Sequence, residues 1–140
     1  MIAPRAIADI LGLQDDVHTM AELDDAVARG LSKQSVLRVV TRIAANLKDA
    51  RTLRDQLVPP ATWKRAKGRI SPHASERAER LARVLATAEY TWDDAAQARL
   101  WMHQPHPELQ GRTPVAAART ELGARSVEAI LDKLFYGLPA

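Results

Sequence analysis

The chain has 140 residues, which suits one ordinary domain or two very small helical units, and is long enough to bury a real core. Hydrophobic residues at 46% and charged residues at 26% exclude a disordered tail and a low-complexity polymer, and the lack of cysteine excludes disulfide frameworks, zinc–cysteine sites and thiol catalysis. Lys and Arg number 20 against 17 Asp and Glu, a formal charge of +3 with a pI near 9.6, and so small a surplus does not by itself name a nucleic-acid partner.

Aromatic residues make up 4% of the chain and no β-branched run alternates with polar residues, so strand signals are nearly absent. Helix signals recur along the whole length. Pro4 suits a first helical position, with Ile7 and Leu11 on one face and Gly12 as the stop. Thr19-Met20-Ala21-Glu22 is a capping box, in which hydroxyl and carboxylate each satisfy an orphan backbone N–H. Leu23 and Val27 then face inward, and Gly30 is expected to close that helix in the left-handed conformation. Ser32 caps a third helix whose inward positions are Val36, Val40, Ile43 and Leu47. A fourth runs from about Lys48 to Leu57, Val58-Pro59-Pro60 breaks it, and Pro60 starts a short fifth through Trp63 to about Lys67.

Ser71-Pro72 then opens a helix with Leu81, Val84, Leu85 and Ala88 on its apolar stripe. Thr91 is expected to cap another, with Ala95, Ala98, Trp101 and Met102 inward. The two prolines of His103-Gln104-Pro105-His106-Pro107 bar a helix there. Thr113-Pro114 opens a helix expected to stop at Gly123. The last runs from about Ala124 to Tyr136, burying Val127, Ile130, Leu131 and Leu134 before Gly137 ends it. The expectation is an all-α protein of two halves, residues 1–69 and 70–140.

The charge surplus is local. Residues 1–50 carry a net of −1, residues 51–100 a net of +4 and residues 101–140 none. Its densest part is Lys64, Arg65, Lys67 and Arg69, with no acid among them. Two helices joined by a tight turn, with bases on the second, describe a helix-turn-helix. Leu53 and Leu57 would anchor its first helix and Trp63 would pin the second. Ala61, Thr62, Lys64 and Arg65 would face outward near the end where side chains reach base edges. The spacing equally allows a core hairpin whose solvent side is basic.

Signals for catalysis are weak. His103, His106 and Glu108 form the one dense grouping of metal-capable side chains, and Pro105 and Pro107 deny it a shared helix face. His18 and His73 sit beside helix starts, where a lone histidine is usually local structure. Ser32, Ser71, Ser75 and Ser126 lack a nucleophile elbow, and no Gly-rich phosphate loop occurs. Neighbouring carboxylates such as Asp15-Asp16 and Asp93-Asp94 point apart on a helix. Neither an enzyme, nor a cofactor, nor a metal site is expected. No apolar run approaches the ~20 residues of a membrane span. The first residues lack a signal-peptide stretch, so a cytoplasmic protein is expected.

Residues 70–139 carry an ordered series of motifs. Ile70-Ser71-Pro72 precedes Glu76-Arg77, and Arg80-Leu81-Ala82-Arg83-Val84 follows. Next come Ala95, Ala98 and Trp101, then Pro105-His106-Pro107-Glu108-Leu109 and Gly111-Arg112-Thr113-Pro114. Thr120-Glu121 with Gly123-Ala124-Arg125 leads to Leu131, Leu134 and the final Tyr136-Gly137-Leu138-Pro139. This half resembles the toxin-binding domain of the Xre/MbcA/ParS antitoxins. Ala28-Arg29-Gly30-Leu31-Ser32 and Val58-Pro59-Pro60-Ala61-Thr62-Trp63-Lys64-Arg65 are similar, more loosely, to the Xre-type helix-turn-helix that precedes it in that family. Two departures stand out: His106-Pro107 replaces the more usual Asn-Pro, and residues 45–55 are more charged than the apolar helix often found there.

The resemblance implies a dimeric antitoxin whose partner is a RES-domain toxin that destroys NAD+, whose C-terminal half blocks the toxin's active site, and whose toxin complex binds operator DNA. With the helix-turn-helix spacing, DNA contacts are expected at Thr62, Lys64, Arg65, Lys67 and Arg69. The resemblance places toxin contacts at Tyr136, Gly137, Leu138, Pro139 and Ala140, with Arg125 and Lys133 as polar candidates. Held close to its helix by Gly137, an apolar tail could plug a cleft with little ordering entropy to lose. A stand-alone helix-turn-helix regulator without a toxin partner is the alternative.

Overall fold

Residues 2–140 are described by a computed structural model, and among them nine α-helices and one 3-10 turn follow in chain order. The helices are α1 Pro4–Leu11, α2 Met20–Arg29, α3 Lys33–Ile43, α4 Leu47–Leu57 and α5 Pro60–Arg65, then α6 Pro72–Trp92, α7 Ala95–Met102, α8 Pro114–Ala117 and α9 Glu121–Phe135. The 3-10 turn, Pro107–Leu109, lies between α7 and α8. The described residues hold no strand, only an isolated antiparallel bridge between Ser32 and Arg69. The fold is all-α, as the periodicity predicts.

Capping chemistry sets most of the boundaries. Thr19 and Glu22 form the complete capping box, and Ser32, Ser71 and Thr113 each accept the N–H three residues on. Such caps contribute about 1 kcal/mol each. Asn46, Asp94 and Thr120 do the same for α4, α7 and α9. Missing those three caps explains several differences from the sequence reading. Because Asn46 ends the α3–α4 link, Leu47 opens α4 instead of extending α3, and its side chain is exposed. Asp94, not Thr91, caps α7; α6 therefore runs on to Trp92, and Ala95 faces solvent.

Gly123 does not stop a helix. It lies in the first turn of α9, where its N–H donates to Thr120 Oγ1 at 3.0 Å, and α9 crosses the preceding turn so closely that a Cβ there would overlap Ala117 O. Gly30 has a positive φ of 93° but an extended ψ of 126°, so it leaves α2 for the bridge instead of capping it in the left-handed conformation. There Ile70 N–H donates to Leu31 O, Lys33 N–H to Gly68 O, and the buried Leu31 N–H to Ser75 Oγ at 2.7 Å. Leu134 is half-buried; Val127, Ile130 and Leu131 are buried as expected.

α6 is the axis of the molecule. Its buried side chains include Ala78, Leu81, Ala82, Val84, Leu85 and Ala88, and it packs against α1, α2, α3 and α4 on one side of the sequence and α7 and α9 on the other. A single hydrophobic core results, running from Ile7 and Leu11 to Ile130 and Leu131. The division at residues 69/70 falls immediately before this shared helix.

Candidate functional site

Two surfaces stand apart from the core. The first is built on α4 and α5. Leu53 and Leu57 are the buried side chains of α4, and none of α5 is fully buried, so this hairpin rests on the body instead of being embedded in it. That sparse burial accounts for the charged character of residues 45–55. Trp63 is half-buried against the core, with Lys33 Nζ 5.0 Å and Arg54 Cζ 5.3 Å from its ring centroid. Both cations lie within the reach of cation–π attraction. The ring thus fixes the roll of α5, and Ala61, Thr62, Lys64 and Arg65 all face solvent.

Lys67 is exposed just beyond α5. Arg69 is exposed as well, but its Nη1 donates to Gly30 O at 2.8 Å and its backbone forms the bridge to Ser32, so this side chain also holds the fold. No ion pair engages Lys64, Arg65 or Lys67 among the described residues. Three free cations beside a short helix anchored by one aromatic side chain make a surface suited to phosphates.

The second surface lies where α6 and α9 end. Four of the chain's six aromatic residues are exposed, and three of these touch: Tyr90 and Phe135 with centroids 5.2 Å apart, and Phe135 and Tyr136 also at 5.2 Å. Leu138 adds an exposed apolar side chain beside them in sequence. Exposed contiguous aromatic groups are uncommon on monomer surfaces and mark places where another molecule packs. The tail is held in place by a Schellman closure: Gly137, at φ 70°, donates to Leu134 O, and Leu138 N–H donates to Lys133 O at 2.7 Å.

Of the residues assigned to this surface from the sequence, Tyr136, Gly137, Leu138, Pro139 and Ala140 are all exposed. Arg125 is exposed and engages no acid among the described residues. Lys133 is half-buried and donates to Glu108 at 2.8 Å, a bond that holds the Glu108 carboxyl below its ordinary range. Tyr90 and Phe135 were not anticipated. The available signal was their exposed register at helix ends in a chain with few aromatics.

Between these surfaces lies a charged network. Burial works against the Arg83 guanidinium, yet Glu79, Glu128 and Glu121 outweigh it and hold the group above its ordinary value. Burial raises Glu79, and the Arg83 charge offsets this only in part. His103 and His106, considered above as metal-capable, do local structural work: His103 Nε2–H donates to Ile43 O at 2.7 Å, and His106 Nδ1 accepts the Glu108 N–H. Among the described residues no group of three or more His, Asp or Glu converges on a point, and no helix is long and apolar enough to cross a membrane.

Two family models match along the chain. Residues 22–83 match the antitoxin Xre-like helix-turn-helix domain, a span that includes α4 and α5. Residues 87–137 match the antitoxin Xre/MbcA/ParS C-terminal toxin-binding domain, a span that contains Tyr90, Phe135 and Tyr136. The two halves of the chain thus match, in order, the two domains of the Xre/MbcA/ParS-type antitoxins. Among its relatives is the antitoxin Xre of Pseudomonas putida, 28% identical over 137 residues that cover 95% of this chain and 80% of the relative. The antitoxin Xre of Yersinia enterocolitica is 29% identical over 138 residues, covering 96% and 90%. A toxin-binding domain in an antitoxin implies a toxin as partner. The two matched spans meet inside α6, between residues 83 and 87, so the shared helix serves both.

Proposed function

We propose that the chain neutralises a RES-domain toxin that destroys NAD+, covering the toxin's active site with the end of α9 and the tail, and that the toxin complex represses its own operon through α5. The exposed aromatic group of Tyr90, Phe135 and Tyr136 carries this reading, because it lies within the span matched to a toxin-binding domain and leaves rigid apolar surface unpartnered. Tyr136, Gly137, Leu138, Pro139 and Ala140 are the residues we assign to the toxin cleft. Arg125 and Lys133 flank them as polar contacts. The Schellman closure supports a plug, since a tail already ordered loses little entropy on entering a cleft.

On the other surface we assign Thr62, Lys64 and Arg65 to operator contact, with Lys67 and Arg69 as phosphate contacts at its edge. The supporting features are the outward face of α5 and the Trp63 anchor. We read the protein as a cytoplasmic homodimer without a reaction or cofactor of its own, divided functionally at residues 69/70 although one core spans both parts. Co-expression with the product of the adjacent gene tests the neutralisation. Wild type should co-purify with that product and prevent NAD+ loss, while a chain lacking residues 136–140 should keep its helical content and lose protection. Full protection by the truncated chain would refute the plug. Operator binding with no captured protein would leave a stand-alone regulator.

A further inference from the structure

Side chains from beyond residue 70 hold the C-terminal end of α4 and the last carbonyl of α3, just before α4 begins. At its C-terminal end the Arg77 guanidinium, from the second turn of α6, donates Nε–H (3.0 Å) and Nη2–H (2.7 Å) to Leu57 O, the last carbonyl before the Val58-Pro59 turn into α5. At the other end His103, which follows α7, reaches the α3–α4 corner. A carbonyl can only accept, so Nε2 carries the proton and donates to Ile43 O at 2.7 Å. The same nitrogen lies 3.7 Å from Asp49 Oδ2, which in turn accepts the Ala45 N–H at 2.9 Å. Each bond closes an orphan carbonyl near a helix C-terminus, where a donor or cation is most favourable.

Apart from the packing of α4 on α3 and α6 and the Trp63 anchor of α5, the hairpin has few buried side chains to fix its angle. α4 buries two side chains in eleven residues and α5 buries none, which places both near the low end of local stability. Packing determines that the hairpin lies on the body. The Arg77 clamp acts directly at the α4–α5 turn and His103 steadies the α3–α4 corner from which α4 departs, and together they bear on where Thr62, Lys64 and Arg65 are presented.

We infer that Arg77 and His103 are positioning residues for operator reading: side chains of the C-terminal half that aim a recognition helix they do not belong to. The inference rests on the assignment of α5 to DNA, and adds that this half is needed for DNA geometry as well as for toxin contact. Neither residue lies on the outward face of α5, and both act through the position of that helix.

The test uses the full chain co-purified with the product of the adjacent gene, with a duplex of the DNA immediately upstream of its gene as probe and amide hydrogen exchange of the DNA-free protein as a second measurement. Arg77→Met should weaken duplex binding by about tenfold or more, the order that a lost charge-assisted hydrogen bond carries. It should also speed exchange at residues 58–67 while leaving α9 protected. Arg77→Lys, which keeps a donor, should recover part of both effects. His103→Gln, which retains an amide donor, should remain near wild type where His103→Leu does not. Unaltered exchange at residues 58–67 in both Arg77→Met and His103→Leu overturns the inference, as does equal loss in the Lys and Met variants. A wild-type toxin complex that does not bind the duplex removes the operator assignment of α5. The exchange arm then still decides whether the clamps hold the turn.

Discussion

Gly123 shows how one residue can carry a tertiary constraint that its neighbours in sequence do not announce. In an exposed helix interior, Gly→Ala adds about 1 kcal/mol of stability. Here an added Cβ would overlap the Ala117 carbonyl, so Gly123→Ala should instead destabilise by about 2 kcal/mol or more, read as a lower denaturant midpoint at unchanged slope. A stabilised variant would mean that α8 and α9 can separate at no cost. Glu79 offers a second test, with a sign that follows from linkage. Burial raises its folded-state pKa, so the native state binds this proton more tightly than the unfolded chain does. Its ionisation therefore lowers stability above the raised pKa, and that loss disappears as pH falls towards the usual carboxylate range. Glu79→Gln should accordingly raise Tm at neutral pH, and the gain should shrink on acidification. Glu22 behaves in the opposite sense: hydrogen bonds from the His18 and Thr19 backbone hold its carboxyl low, so the contribution of the capping box should persist above the usual carboxylate range and be lost in acid.

At the level of elements, the hairpin α4–α5 and the end of α9 make separable predictions. Changing both Lys64 and Arg65 to Ala should weaken operator binding and lower the slope of log K against log salt by about two. An unchanged slope would mean that α5 does not face phosphates. Tyr136→Asp should abolish toxin capture with no loss of helix content, because the side chain is 73% exposed and makes its aromatic contact at the surface. These elements also show what can be read in a sequence. The capping box at Thr19, the proline break at Val58-Pro59 and the outward bases of α5 are local chemistry, and each is where the pattern predicts. What escaped was non-local or competitive. Thr91, Asp93 and Asp94 all stand near the start of α7, and Asp94 is the one whose carboxylate accepts the Gln97 N–H. Gly30 has the positive φ of a helix stop, yet its path is set by a bridge to residues nearly forty positions away. Tyr90 and Phe135 lie 45 positions apart, and only the pairing of α6 with α9 brings their rings together.

For the molecule as a whole, the position of α6 means that neither half owns its core. A fragment of residues 1–69 lacks the helix against which α1, α2, α3 and α4 all pack, and it should show no cooperative unfolding transition. A fragment ending at Trp92 keeps that helix and should recover much of the helical signal. A cooperative transition in the shorter fragment would show that the division at residues 69/70 is a folding boundary as well as a functional one. The same helix is also a ruler. Arg77, beside the turn that presents α5, and Tyr90, in the exposed aromatic group, are thirteen residues apart on one unbroken helix, or about 20 Å along its axis. That spacing is shorter than the diameter of a small folded domain, so on the proposed assignments a toxin at the aromatic end would sit close beside DNA held at the other. Each partner would then alter the affinity of the other, and by the same factor in either order of arrival.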